Sequence, residues 1–254
     1  MTSAIPLLPV CWPRPINVGV AITLASRALA PVSVPYGEAN MALHVGDTAE
    51  AVIVRRQQLA AQLKVPQWQW LEQVHGITVV EACLDNTTPK ADACFTRQAG
   101  VACTVMTADC LPVFFCNSAG TQVAVAHAGW RGLAQGVLAK TRATFSADDT
   151  VLAYLGPAIG AQVFEVGAEV KAVFEQRFAS SASLAIITAC FAPSPYQSGH
   201  YLADIYALAR LQLKALGVLA ISGGEHCTFS DSRFYSYRRQ ATTGRMASVI
   251  WLQS

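Results

Sequence analysis

The sequence predicts an α+β fold: one domain spanning residues 1–254, with helices and mixed β-sheets stacked in layers. Three observations lead there. Apolar runs of strand length and stretches of helical periodicity share the chain, yet they neither alternate strictly, as a doubly wound sheet requires, nor segregate into halves. No repeat, linker or break in composition divides the 254 residues. With 53% apolar and only 13% charged residues, the chain can fill a sizeable core.

Taken in order, Cys11 to Tyr36 is rich in Pro, Val and Ala and reads as a strand, Val18 to Leu24, followed by a loop. At Asp47 the pattern changes. Asp47 as N-cap, with Glu50 three residues on, gives a capping-box-like start, and Val52, Arg56, Leu59 and Leu63 share one helical face before Pro66. Trp68 and Trp70 stand at strand spacing, and Ile77 to Ala82 is a second strand. A polar loop, Asp85 to Lys90, precedes the buried strand Gly100 to Thr107. Pro112 to Cys116 and Gln122 to His127 are strands joined by the turn Asn117-Ser118-Ala119-Gly120. Gly129 and Gly132 bracket Trp130-Arg131, and the predicted helix Leu133 to Phe145 begins just after Gly132, a natural place for an anion. Thr150 to Leu155 is a strand closed by Gly156-Pro157, and Phe164 to Phe178 is helical by the spacing of Val166, Val170, Val173 and Phe174. Ser180 to His200 is mixed and loop-rich, and Asp204 to Leu216 is a helix stopped by Gly217. Short strands near Val218 to Ser222 and Ala247 to Leu252 flank an aromatic and basic segment.

Composition narrows the function. The net charge of +2, from 18 basic and 16 acidic residues without blocks, calls for neither nucleic acid nor a membrane surface, so a small-molecule substrate is expected. Met1 to Pro15 holds four prolines and no basic start, unlike a signal peptide. The apolar run Val18 to Ala25 is far short of the ~20 residues that span a bilayer. A cytoplasmic protein, monomer or homodimer, is expected. Cys94, Cys103, Cys116 and Cys190 sit in apolar surroundings and read as free buried thiols, and the absence of Cys-x-x-Cys excludes a zinc ribbon.

The chemistry concentrates between Thr107 and Arg131, where Cys110 and His127 stand at strand ends beside Gly and Pro. Both suit one metal site, with His75 as a third ligand. Taken singly, His75 also reads as a turn residue and Cys110 as a small buried hydrophobe. His127 ends a strand of alanines and valines, where an imidazole needs a partner for each nitrogen. Asp109 suits either a ligand's support or a bond to a turn. His44, His200 and His226 carry no signal of their own.

Gln73-Val74-His75-Gly76, Thr107-Ala108-Asp109-Cys110-Leu111-Pro112-Val113, His127-Ala128-Gly129-Trp130-Arg131-Gly132, Leu155-Gly156-Pro157-Ala158-Ile159-Gly160, Phe164-Glu165-Val166-Gly167, and Tyr235-Ser236-Tyr237-Arg238-Arg239 with Gly244-Arg245-Met246 follow one another along the chain. In kind and order these blocks resemble the YfiH/laccase-domain family. The resemblance implies a layered mixed α/β sandwich with His75, Cys110 and His127 on one zinc ion. It also implies action on purine nucleosides: phosphorolysis of adenosine, inosine and methylthioadenosine, and deamination of adenosine. Asn40, Arg131, Arg238, Arg239 and Arg245 are assigned to the nucleoside and phosphate, and Trp130 and Tyr235 are candidates to stack on the purine. The N-terminal part departs from the family. The usual Arg-x-Gly-Gly-x-Ser is Arg27-Ala28-Leu29-Ala30-Pro31-Val32-Ser33, the usual Ser-Leu-Asn is Glu38-Ala39-Asn40, and the Asn-Arg pair of the first helix is Val54-Arg55.

Three protein ligands leave a position open on zinc, as in catalytic sites. The alternatives are a copper (Cu2+) polyphenol oxidase, with Met106 near Cys110 as a weak ligand, and a peptidoglycan-precursor editing hydrolase with Cys110 as nucleophile. Five histidines and no His-x-His are too few for a multicopper cluster. The His-x-Glu and Pro-Cys-x-x-Cys signature of zinc deaminases is absent.

Overall fold

The computed structural model describes residues 4–26, 35–83, 85, 87–177 and 184–253. Arg27 to Ser33, where the chain departs from the family pattern, lies outside them, as do Asn86 of the polar loop and Phe178 at the expected helix end.

In chain order, β1 (Val18–Ile22) precedes α1 (Ala49–Leu63), and β2 (Gln67–Gln69) and β3 (Val79–Glu81) follow. Next come β4 (Ala93–Thr96), β5 (Val101–Thr107), β6 (Leu111–Asn117) and β7 (Val123–Ala128). Two short helices, α2 (Trp130–Gln135) and α3 (Val137–Arg142), lead to β8 (Val151–Leu155) and β9 (Glu165–Gly167). The remainder is α4 (Ala168–Arg177), α5 (Leu184–Ala189), β10 (Phe191–Pro193), β11 (His200–Ala203), α6 (Ile205–Ala215), β12 (Ala220–Gly223) and β13 (Met246–Leu252).

The strands form a four-stranded sheet, β1-β13-β5-β2, a six-stranded sheet, β12-β8-β6-β7-β4-β3, and a small sheet, β10-β11-β9. Both large sheets mix parallel and antiparallel pairs. Side-chain alternation sets the layers. On β6, Phe114 and Cys116 pack towards the four-stranded sheet, while Val113 and Phe115 pack against Leu133, Leu138, Phe174 and Leu208 of the helices. On β13, Ile250 and Leu252 join the inter-sheet core, while Val249 and Trp251 face Leu59 of α1. The order is therefore α1, sheet, sheet, helices: an α+β sandwich. Strands covered on both faces read as near-continuous apolar runs: β6 is apolar from Leu111 to Cys116, and β5 is interrupted only by the buried Thr104 before it ends at Thr107. All eight cysteines are free, and Cys94, Cys103, Cys116 and Cys190 are buried. Among the described residues no helix is long and apolar enough to cross a membrane.

Several local expectations are corrected. The N-cap of α1 is Thr48, and Asp47 stands one residue earlier, accepting the Thr48 N–H at 2.9 Å and holding Arg55 and Asn40. The helix expected from Leu133 starts at Trp130 and breaks at Gly136, whose φ of 99° forces a new start. Gly132 thus lies inside α2, where a Cβ would stand 2.8 Å from the Gly76 carbonyl oxygen, and the helix N-terminus is at Gly129. Residues 165–167 pair with β11 before α4 begins. Strands β4, β9, β10 and β11 and helix α5 were not anticipated; most are too short for periodicity to register.

Candidate metal centre and its cavity

The chain passes from β5 of one sheet to β6 of the other through Ala108-Asp109-Cys110, a crossing made tight by Asp109 at φ 87°. Cys110 therefore stands at the start of β6. On the neighbouring strand β7, His127 pairs with Pro112, directly beside it. His75 comes from the loop ahead of the edge strand β3, with φ 59°.

Donor atoms of His75, Cys110 and His127 lie within 4.8 Å of one another, and Cys110 Sγ is 3.8 Å from His75 Nε2. Two donors on one ion, with bonds of about 2.3 Å, stand no more than about 4.6 Å apart, so small side-chain movements close this set on an ion. The backbone leaves the space for it. A Cβ on Gly129 would sit 3.0 Å from His75 Cδ2 and 3.1 Å from Cys110 Sγ, in the middle of the donors. Two imidazoles and a thiol fit zinc's preferred ligands, and three of them leave one position free.

Electrostatics agree with a ligand role. Burial works against a charged thiol, but the imidazole of His127, then that of His75, outweighs it and holds Cys110 down to about 6. Burial likewise opposes a charged His127, yet the Cys110 thiolate and the Asp92 carboxylate push it up to about 9. Asp92 is fully buried, and its carboxylate takes His127 Nδ1 at 2.8 Å, leaving Nε2 to face the donors. The same carboxylate accepts the backbone N–H groups of Val74, His75 and Gly76. Gln73 ties the same loop to β5, its amide exchanging two hydrogen bonds, 2.7 and 2.8 Å, with the backbone of Met106.

The donors open into a cavity of about 310 Å³. Trp130, Phe164 and Tyr237 supply aromatic walls, Arg238 and Arg245 supply the cationic side, and His44 also lines the cavity. Burial, followed by the nearby charges of Arg245 and Arg56, keeps His44 below its ordinary value and hence neutral.

The other expected residues fall elsewhere. Asn40 is buried outside the lining, accepting the backbone N–H groups of Ala42 and Arg245, each at 3.0 Å; it holds Arg245 in place. Arg239 gives its guanidinium to the carbonyls of Thr228, Phe229 and Phe234. Arg131 lies over the ring of Trp130, 4.3 Å from its centroid, and is not in the lining. Tyr235 is a core residue whose hydroxyl bonds the Tyr36 carbonyl; the cavity's tyrosine is Tyr237. Asp109 supports no ligand through its side chain, which accepts Thr228 Oγ1 at 2.6 Å and the Arg238 N–H at 2.7 Å. His200 and His226 are not in the lining.

Sequence reasoning missed Asp92 and His44. A signal existed for the first: a lone carboxylate in Ala91-Asp92-Ala93, ahead of an apolar strand, must find buried partners.

The chain is similar to known proteins in both sequence and fold. The family model described as multi-copper polyphenol oxidoreductase laccase matches residues 22–253. The chain is 48% identical over 244 residues to a purine nucleoside phosphorylase of Pseudomonas aeruginosa, covering 95% of this chain and 96% of that one. It is 46% identical over 245 residues to the purine nucleoside phosphorylase YfiH of Escherichia coli, with the same coverage. The crystal structure of a Neisseria meningitidis DUF152 protein superposes with a TM-score of 0.87 at 45% identity, over 98% of this chain and 99% of that one. That of YlmD from Geobacillus stearothermophilus gives 0.84 at 30% identity, over 100% and 98%. The chain belongs to the YfiH/laccase-domain family.

Proposed function

We propose that the protein is a zinc-dependent purine nucleoside phosphorylase acting on adenosine, inosine and methylthioadenosine, with adenosine deamination as a side activity. One observation carries the reading: a His75-Cys110-His127 donor set opens onto a cavity that also has aromatic walls and an arginine-rich side. The names of the Pseudomonas and Escherichia relatives support it.

Phosphorolysis needs an anion beside C1′ of the ribose and a path for the purine to leave. Arg245 and Arg238 hold phosphate, with neutral His44 as a hydrogen-bonding partner for it. Trp130, Phe164 and Tyr237 flank a planar base. His75, Cys110 and His127 would hold the zinc ion, which would supply Lewis acidity and lower the pKa of water, the property that deamination uses. Free thiols and these substrates fit a cytoplasmic protein.

A copper polyphenol oxidase is the second reading, favoured by the name of the matching family model and by Met106 in the cavity lining. Against it, Met106 Sδ already accepts Arg56 Nη2 at 3.6 Å, and among the described residues the only grouping of three or more donors is this one.

The test is an assay of the three nucleosides with and without phosphate, beside a phenol, on protein of measured metal content. Phosphate-dependent release of free base from zinc-loaded protein, lost in Cys110→Ala, is expected. Inosine formed from adenosine without phosphate reports the deaminase activity. Turnover of the phenol alone, and only with copper, overturns the proposal.

A further inference from the structure

Asp92 lies outside every motif that points to the metal centre, yet it touches two of the three donors' segments at once. We propose that Asp92 is the positioning residue of that centre, its single carboxylate setting both the tautomer of His127 and the backbone conformation that presents His75. The inference rests on the metal centre proposed above.

The geometry leaves the carboxylate no other task. Its Oδ1 accepts from His127 Nδ1 at 2.8 Å and from the His75 N–H at 2.9 Å. Its Oδ2 accepts from the Gly76 N–H at 2.6 Å and the Val74 N–H at 3.3 Å. With the side chain fully buried, four protein donors meet its acceptor capacity. An ionised carboxylate only accepts, so the proton of a neutral His127 is fixed on Nδ1 and the lone pair on Nε2, the nitrogen that faces Cys110 and Gly129. The second task concerns His75, a non-glycine residue at φ 59°. Three successive N–H groups there converge on one anion, a backbone nest, and the anion is what keeps the loop in this conformation.

Asp92 is itself held by the sheet. Its carbonyl accepts the His127 N–H at 2.7 Å and its N–H reaches the Thr78 carbonyl at 3.0 Å, so the carboxylate is fixed beside β7. Asparagine cannot replace it. With its amide nitrogen at the Oδ1 position it meets the His75 N–H and turns His127 to the opposite tautomer. Flipped, it opposes the N–H groups of Val74 and Gly76.

The experiment measures zinc affinity by competition with a chromogenic chelator, and the thiolate-to-cobalt absorption of cobalt-loaded protein. Wild type, Asp92→Asn and the distant core variant Ile250→Ala are compared well below their melting temperatures. Asp92→Asn is expected to bind zinc about 10- to 100-fold more weakly, with a diminished cobalt band. Ile250→Ala is expected to melt earlier and bind as wild type does. Wild-type affinity in Asp92→Asn, or losses in both variants that follow only their melting temperatures, overturn the role of Asp92. A wild-type chain that takes up no metal overturns the centre itself. If Asp92→Asn does not fold, the imidazole ¹⁵N resonances of metal-loaded wild type decide: a proton on His127 Nδ1 supports the proposal and a bare Nδ1 overturns it.

Discussion

The hydroxyl of Thr228 and the carboxylate of Asp109 meet at 2.6 Å, joining the crossing that carries Cys110 to the C-terminal segment that carries Arg238. Asp109→Asn keeps a residue type that tolerates φ 87° but loses an acceptor towards Thr228 or the Arg238 N–H. The Michaelis constant for phosphate should rise roughly 10-fold, the equivalent of one charged hydrogen bond of about 1.5 kcal/mol, while zinc content stays unchanged. Steady-state kinetics beside metal analysis check this; an unaltered Michaelis constant removes the anchor's part in substrate binding.

Gly129→Ala tests the space between the donors. Its φ of −61° is ordinary, so the backbone accepts alanine, and the conflict is confined to the new methyl against His75 and Cys110. The variant should fold and melt much as wild type does in the metal-free state, yet retain zinc poorly after dialysis. Stoichiometric zinc after dialysis would show that the donors have room to spare.

Metal uptake should release protons in a defined number. In the metal-free chain Cys110 at about 6 and His127 at about 9 stand as thiolate and imidazolium between those values. An ion on His127 Nε2 displaces that ring's extra proton, so binding near neutral pH should release about one proton per ion. Calorimetry in buffers of different ionisation enthalpy counts it, and a count near two would mean a neutral thiol. Stability follows the same pair. His127 is raised, so its contribution is complete below 6.5 and is lost as pH climbs through 9; Cys110 is lowered, so its contribution is complete above 9.0 and is lost as pH falls through 6. Between 6.5 and 9 His127 loses what Cys110 gains, so thermal melts of metal-free protein should be nearly flat across that span and fall only slightly below about 6.

Tyr206→Phe probes the frame under the cavity. The Tyr206 hydroxyl accepts the Ala158 N–H and donates to the His226 carbonyl, both at 2.6 Å. Removing it strands a buried N–H, at a cost of about 1–3 kcal/mol in denaturant titrations. A change below about 0.5 kcal/mol would mean that the loops relax to satisfy one another.

The layers were legible because their cause is local. β5, β6 and β7 are covered on both faces, and their apolar runs record it directly. Cys110 and His127 stood out at the ends of those runs. His75 was the weakest of the three from the residues alone, and the family resemblance strengthened it, because its proximity to the others comes from sheet pairing across distant segments. The polar residues were least legible. Asn40 and Arg239 carry the same side-chain chemistry as substrate-binding groups, but the fold commits them to backbone amides and carbonyls. The break at Gly136 was hidden because glycine is tolerated inside a helix pattern, and only its positive φ reveals the stop.

In the four-stranded sheet, β13 lies between β1 and β5, so the last strand in chain order fills the middle of the sheet rather than its edge. Until it inserts, β1 and β5 have no neighbour on the sides it will occupy, and Arg245, the residue just before it, is not yet at the cavity. Such pairing across nearly the whole sequence is slow to form. The donor set, drawn from residues 75 to 127, closes a shorter stretch of chain than the pairing of β13 with β1, so the metal centre and the anion side of the cavity differ in how much of the sequence each needs in place.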